Sequence, residues 1–86
     1  MSLIEELSEI CPEATTFDGL DEAIVALADN GIGVIAVYDN DSIIKILMKD
    51  GMDEEDAQEY IDYNIVRSLP YMGDYKPVIV FRTLEE

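Results

Sequence analysis

Apolar side chains recur at helical spacing in four stretches of this chain, and each stretch has a start or stop signal typical of a helix. The first begins at the capping box Ser2-Leu3-Ile4-Glu5 and ends at Pro12. The second runs from Asp18 to Asn30-Gly31, the third from Asn40 or Asp41 to Gly51, and the fourth from Asp53 to Pro70. The pattern therefore predicts four helices.

Two shorter stretches have the composition of β-strands. Ile32 to Tyr38 is mostly apolar and rich in β-branched residues, which favours a strand buried on both faces. Pro77 to Thr83 alternates, and its proline is restricted to a first or edge position. Because two helices separate the strands, we expect an antiparallel pair. The sequence predicts one α+β domain over residues 1–86, in the order ααβααβ, with a two-stranded antiparallel sheet packed against helices.

Each predicted element contributes one apolar face to a common core. We expect that core to hold Leu7, Ile24, Leu27, Val34, Ile35, Val37, Ile44, Leu47, Ile61, Ile65, Val78 and Val80. The second strand alternates, so Val78 and Val80 fall on one face while Ile79 and Phe81 fall on the other. Four helices in so short a chain should cover only one face of the sheet fully. We therefore expect a second copy to cover the other face in a C2 dimer.

The charge of the chain excludes several classes of function, although it says little about the fold. Twenty Asp and Glu against five Lys and Arg give a net charge of −15 over 86 residues. Such a surface repels phosphate backbones, so we expect no direct binding to nucleic acid. The chain has no histidine, the commonest metal ligand and the usual proton shuttle near neutral pH. With no phosphate-binding loop and no nucleophile–base pair in the sequence, we expect no enzymatic activity, no cofactor and no bound metal.

Neither a membrane segment nor a reactive thiol is indicated. The longest apolar run, Ile32 to Tyr38, is far too short to span a bilayer, so we expect a cytoplasmic protein that does not bind a membrane. Cys11 is the single cysteine, and its neighbours Glu9 and Glu13 are acidic. Since a reactive thiolate needs a basic environment, Cys11 is interpreted as a small buried apolar residue.

The outer face of the fourth predicted helix is a candidate interaction surface. Its carboxylates are those of Asp53, Glu54, Glu55, Asp56, Glu59 and Asp62. They are consistent with a solvated face whose first turn complements the helix dipole. They are also consistent with an array that mimics nucleic-acid phosphates and occupies a basic groove. In that alternative the protein inhibits a nucleic-acid-binding host protein.

Polar and aromatic side chains add three further candidates. Asn64 lies on the predicted apolar stripe of the fourth helix, so its amide either ties that helix to a strand end or to the Tyr71–Tyr75 loop, or contacts a ligand. Tyr71 and Tyr75 flank Gly73 in a predicted exposed turn. Tyrosines are enriched at interfaces, although packing at the edge of the core is the alternative. We interpret the chain as a non-enzymatic protein-interaction module that binds another protein or a second copy of itself.

Several segments resemble a family of small uncharacterised proteins found in phages and prokaryotic genomes. They are Val37-Tyr38-Asp39, Ile46-Leu47-Met48, Asp50-Gly51-Met52, Glu54-Glu55-Asp56-Ala57, Glu59-Tyr60 and Tyr63-Asn64, which follow the pattern VYD…ILM..GM..EEA.EY..YN. The resemblance extends over about residues 11–83. Family members often follow the asparagine with a Gly-aromatic-Gly turn and Thr-Pro, where this chain has Val66 to Pro70 and then Lys76-Pro77. The resemblance implies a compact fold and a phage or prophage origin, and it implies no particular reaction.

Overall fold

The computed structural model describes residues 2–81, in which helices pack against a three-stranded sheet. The helices are α1 (Leu3–Ile10), α2 (Asn40–Lys49) and α3 (Glu54–Tyr60), and the strands are β1 (Ile24–Asp29), β2 (Val34–Asp39) and β3 (Val78–Val80). A 3-10 turn (Asp21–Ala23) leads into β1, and α3 continues as a π-helical turn (Ile61–Ile65) and then a 3-10 helix (Val66–Tyr71). The predicted α+β class is confirmed, whereas the predicted two-stranded sheet is wrong.

The central strand of the sheet is β2. It pairs antiparallel with β1, with Leu27 opposite Ala36, and parallel with β3, with Val37 opposite Val78. The predicted antiparallel pairing of the last strand is therefore wrong. From the C-terminal end of β2 the chain continues through α2 and α3. It then returns toward the N-terminal end of β2, so that β3 runs in the same direction as β2. A hydrogen bond of 3.0 Å from the Asn30 amide to the Asp74 carbonyl fixes this return beside the β1–β2 turn.

The predicted second helix, from Asp18 to Gly31, is replaced by a turn, a short 3-10 helix and strand β1. Its supposed stop signal is the turn of a β-hairpin. The Asn30 Oδ1 accepts hydrogen bonds of 2.9 Å from the N–H groups of Ile32 and Gly33, and Gly31 has a φ of +92°. Asparagine followed by glycine suits such a turn because glycine reaches positive φ without strain.

The other predicted helices are present, with local corrections at their ends. The capping box of α1 is confirmed, since Ser2 and Glu5 exchange side-chain hydrogen bonds with each other's N–H. The cap of α2 is Asp39 rather than Asn40 or Asp41, and the predicted cap of α3, Asp53, is confirmed. The last helix does not run as one α-helix to Pro70, because its backbone widens into a π turn after α3.

Half of the predicted core residues are buried. They are Leu7, Ile24, Ile35, Leu47, Ile61 and Ile65. Leu27, Val34, Val37 and Ile44 are half-buried. The prediction is wrong for Val78 and Val80, which remain about two-fifths exposed, because Ile79 rather than its neighbours faces the core. Ile43, on the inward face of α2, is also fully buried, and so is Tyr38, which was not among the predicted core residues.

Two sequence predictions concern the end of the last strand and the association of two copies. Arg82 and Thr83, the end of the predicted last strand, lie outside the described residues. Dimer formation through the sheet also stays a prediction. No helix within residues 2–81 combines the length and the apolar character needed to cross a membrane.

Candidate functional site

A cleft of about 460 Å³ lies between the turn that precedes β1, the C-terminal half of α2 and the π-helical turn after α3. Its base is formed by the apolar residues Leu20, Leu47 and Ile65, which belong to the core. Its polar side chains are those of Thr16, Asp18, Asp50, Tyr60, Asn64 and Ser68. Within the described residues, no lysine or arginine lines the cleft. It therefore combines an apolar base with uncompensated negative charge.

The Phe17–Leu20 turn forms the first wall of the cleft. The Leu20 N–H donates to the Phe17 carbonyl at 3.3 Å, and Gly19 has a φ of +80°, a conformation that other L-residues reach only with strain. This geometry leaves the Asp18 side chain exposed at the rim. A hydrogen bond anchors this wall to the sheet, because the Phe17 N–H donates to the Tyr38 hydroxyl at 2.9 Å.

Tyr38 is the buried anchor of this wall. Its ring lies 5.0 Å from the Phe17 ring, centroid to centroid, at a tilt of 57°. Burial raises the pKa of the Tyr38 hydroxyl above its ordinary value. The hydrogen bond from Phe17 opposes this pKa shift, while the negative charges of Asp21 and Asp18 add to it. The hydroxyl is therefore neutral near pH 7, and its oxygen is available to accept the Phe17 hydrogen bond.

The π-helical turn Ile61–Ile65 forms the opposite wall. Such turns are wider than α turns and recur at functional sites. Ile61 and Ile65 are buried, whereas Asn64 is exposed and lines the cleft, as does the two-fifths exposed Tyr60. The prediction that Asn64 lies on the inward stripe is wrong. Its amide makes no hydrogen bond within residues 2–81, so it is available to a ligand.

The six predicted carboxylates lie on the exposed side of α3 and the π turn, and together they are called the acidic face: Asp53, Glu54, Glu55, Asp56, Glu59 and Asp62. Asp53 also has a structural role, because its Oδ1 accepts from the Asp56 N–H at 2.8 Å and caps the helix. Asp62 accepts from the Gln58 amide at 3.2 Å. Among the described residues, none of the six forms an ion pair. No ion pair within this part of the chain therefore offsets their mutual repulsion.

The acidic face and the cleft form one continuous surface. A shallower depression lined by Asp56, Glu59 and Tyr63 also includes Tyr60 and Asn64, which line the cleft. Tyr63 is 58% exposed, and the Arg67 guanidinium lies 4.6 Å above its ring centroid. The structure therefore brings Asn64 together with part of the acidic face.

The two tyrosines of the predicted interaction turn have different environments. Tyr71 is 89% exposed, as an interface residue would be. Tyr75 is half-buried and packs against the core, and its carbonyl accepts from the Thr15 N–H at 3.1 Å. Tyr75 thus has a structural role, and Tyr71 remains the candidate for contact with a partner.

Comparison with family models, with curated proteins and with solved structures finds no match. The resemblance to small phage and prokaryotic proteins therefore stays a prediction. Within residues 2–81, no group of three or more Cys, Asp or Glu side chains is arranged to hold a metal ion. The acidic face and the cleft are two surface features of the described residues that can contact a ligand or partner.

The repulsion within the acidic face gives a testable stability effect. Glu59 has carboxylates at the i−4, i−3 and i+3 positions, those of Glu55, Asp56 and Asp62. Like-charge pairs at such spacings each destabilise a helix by about 0.2–0.5 kcal/mol. We expect Glu59→Gln to raise the free energy of unfolding in urea at low salt, and we expect the gain to shrink as salt is added.

Glu54→Gln is the matched control for this experiment. Glu54 lies in the first turn of α3, where negative charge is favourable, and it has no carboxylate at i+3 or i+4. The control should therefore show no gain in stability. Equal gains from both substitutions would contradict a repulsion centred on Glu59.

Proposed function

We propose that this protein is a small, non-enzymatic interaction module that binds a protein partner through a basic surface on that partner. The observation that supports this most strongly is the acidic face, six exposed carboxylates without an ion pair in the described chain. The helix N-terminus favours the carboxylates of the cap and of the first turn, but it does not favour those of Glu59 and Asp62. These two add like-charge repulsion at helical spacing, which stability alone does not explain. A partner that supplies Lys and Arg would convert this repulsion into attraction and would also accelerate association.

Aromatic side chains beside the acidic face also support a protein partner. Tyr60 and Tyr63 are two-fifths and three-fifths exposed, respectively, and they adjoin Glu59 and Asp56. Interfaces gain most of their affinity from a few such large side chains, while surrounding charges provide specificity and speed. The combination favours a protein surface over a purely electrostatic contact.

The alternative is that the basic surface is a nucleic-acid site and the acidic face imitates phosphates. Ten residues, from Asp53 to Asp62, span roughly 15 Å at a helical rise of ~1.5 Å per residue. That length matches about four phosphates of one DNA strand at ~3.4 Å each. The array is long enough to occupy a short basic groove, so this alternative is retained as a special case of the proposal.

Salt dependence of partner capture tests the proposal. The immobilised chain is incubated with a prokaryotic lysate at about 0.1 M and about 1 M salt, where the screening length falls from ~10 Å to ~3 Å. We expect a stoichiometric partner to be retained only at the lower salt. We expect the variant Glu55→Gln/Glu59→Gln/Asp62→Asn to lose it, because these charges form the centre of the acidic face.

Tyr71→Ala is the comparison variant, since this exposed candidate contact lies in the segment after the acidic face. It should weaken retention less than the triple substitution does. Retention that survives about 1 M salt and depends on Tyr71 alone would contradict the proposal. Competition by a short DNA duplex for the captured partner would favour the phosphate-mimicking alternative. Retention unaffected by the duplex would favour a basic surface with no role in nucleic-acid binding.

A further inference from the structure

We infer that the cleft is a guanidinium site that receives a single arginine side chain of the partner. This inference rests on the proposed function, because it names the group that the partner would insert beside the acidic face. The cleft volume of about 460 Å³ lies within the range of ~300–1,000 Å³ typical of sites for small groups. Its apolar base suits the methylene stem of arginine, and its rim suits the charged head.

The chemistry of the rim determines the charge of the occupant. Asp18 and Asp50 line the cleft from two different elements. Asp18 belongs to the turn before β1, and Asp50 lies at the end of α2. With no lysine or arginine lining the cleft within residues 2–81, an anionic occupant would meet only negative charge. A cationic occupant would instead be attracted by both carboxylates.

The other lining groups favour arginine over lysine. A guanidinium has five donors in a plane and binds carboxylates in a bidentate manner, whereas an ammonium is a compact point charge. The cleft offers oxygen acceptors on Asn64 and Ser68 in addition to its two carboxylates. The exposed Tyr60 ring adds a surface on which a flat cation can stack. A planar cation uses these groups together, and the Asn64 amide gains the partner that it lacks within residues 2–81.

Nuclear magnetic resonance of the full chain with N-acetylarginine amide as the probe tests the inference. We expect saturable shifts in the Asn64 side-chain amide and in the backbone amides of Gly19 and Gly51, which adjoin the two carboxylates. N-acetylcitrulline amide has nearly the same shape and no charge, so it should cause no such shifts. The lysine analogue should bind at least several-fold more weakly than the arginine probe.

Charge-neutral variants locate the site. Asp18→Asn/Asp50→Asn should weaken binding of the arginine probe at least tenfold, and both positions are exposed, so the fold should be retained. Glu9→Gln/Asp74→Asn, which removes two exposed charges outside both the cleft and the acidic face, is the matched control and should leave binding unchanged. Equal effects of the two sets of substitutions, or equal binding of citrulline, would overturn the inference.

The outcomes for the cleft and for the proposed function are distinguishable. If the arginine probe leaves the cleft resonances unmoved while the partner is still captured in a salt-dependent way, the guanidinium site is wrong and the interaction module stands. If the probe saturates the cleft but no salt-dependent partner is captured, the cleft binds a free guanidinium compound, and the proposed protein partner is wrong.

Discussion

Replacing Gly33 by alanine is expected to lower the free energy of unfolding by about 1–3 kcal/mol, the usual cost of overpacking. A Cβ at residue 33 would lie 2.5 Å from the Cε1 and 3.1 Å from the Cδ1 of Tyr75. The ring would have to leave its packed position against the core, while its backbone is held by the hydrogen bond from Thr15. Thermal unfolding measures the effect, with about 4–8 °C for each kcal/mol in a domain of this size.

A double-mutant cycle with Tyr75→Ala isolates the contact that causes this loss. Once the ring is absent, the nearest remaining neighbour of a Cβ at residue 33 is the Cys11 sulfur, at 3.4 Å, which is an ordinary contact. The substitution should then cost less than about 0.5 kcal/mol, so the two changes should be strongly non-additive. An equal cost in both backgrounds would show that the ring is not the cause.

The hairpin around this glycine is also where sequence interpretation failed most clearly. Ile24 and Leu27 are three residues apart, as on one face of a helix, and Asn30-Gly31 resembles a helix stop. In the structure a β-bulge between Ile24 and Ala26 adds one residue to β1, so Ile24 lies opposite Tyr38 while Leu27 lies opposite Ala36. The bulge therefore places residues three apart on one face of a strand. This single extra residue hides the alternation of inward and outward side chains that is typical of a strand.

Elements determined by local signals were predicted well. The capping box at Ser2 and the cap at Asp53 depend on residues within a few positions of each other, and both are present. The parallel pairing of β3 depends instead on the position at which the chain returns to the sheet after α2 and α3. Long-range contacts, such as the one between Asn30 and Asp74, fix this position. No local pattern in the sequence contains this information.

The candidate site likewise has one part that the sequence predicts and one part that it does not. The acidic face could be identified from the sequence because its carboxylates lie within ten consecutive positions. The cleft could not, because Asp18, Asp50 and Asn64 are each separated by more than a dozen residues. Asn64 was selected for the wrong reason. The π turn rotates it away from the apolar stripe, so the amide expected in the core lies exposed in the cleft.

The cleft also depends on the buried side chain of Tyr38, and substitution of this residue is expected to have the second large effect on stability. Tyr38→Phe should lower the free energy of unfolding by about 1–3 kcal/mol, because it leaves the partly buried Phe17 N–H without an acceptor. Loss of this anchor should also loosen the turn that presents Asp18, and so weaken arginine binding at the cleft. Tyr63→Phe is the matched control, since the Tyr63 hydroxyl makes no hydrogen bond within residues 2–81. It should change stability by less than about 0.5 kcal/mol.

The pH dependence of the stability difference between the wild type and Tyr38→Phe provides an independent check. Burial raises the pKa of Tyr38 in the folded state above the ordinary 10.0, so the folded protein holds this proton more tightly than the unfolded chain does. The resulting stabilisation is fully present below pH 10 and is lost as the pH rises through the folded-state pKa. Phenylalanine does not titrate, so the difference in unfolding free energy should narrow above about pH 10. Urea titrations of both proteins across that range measure it, and a difference that stays constant or widens would mean that the Tyr38 hydroxyl is not the buried anchor of the cleft.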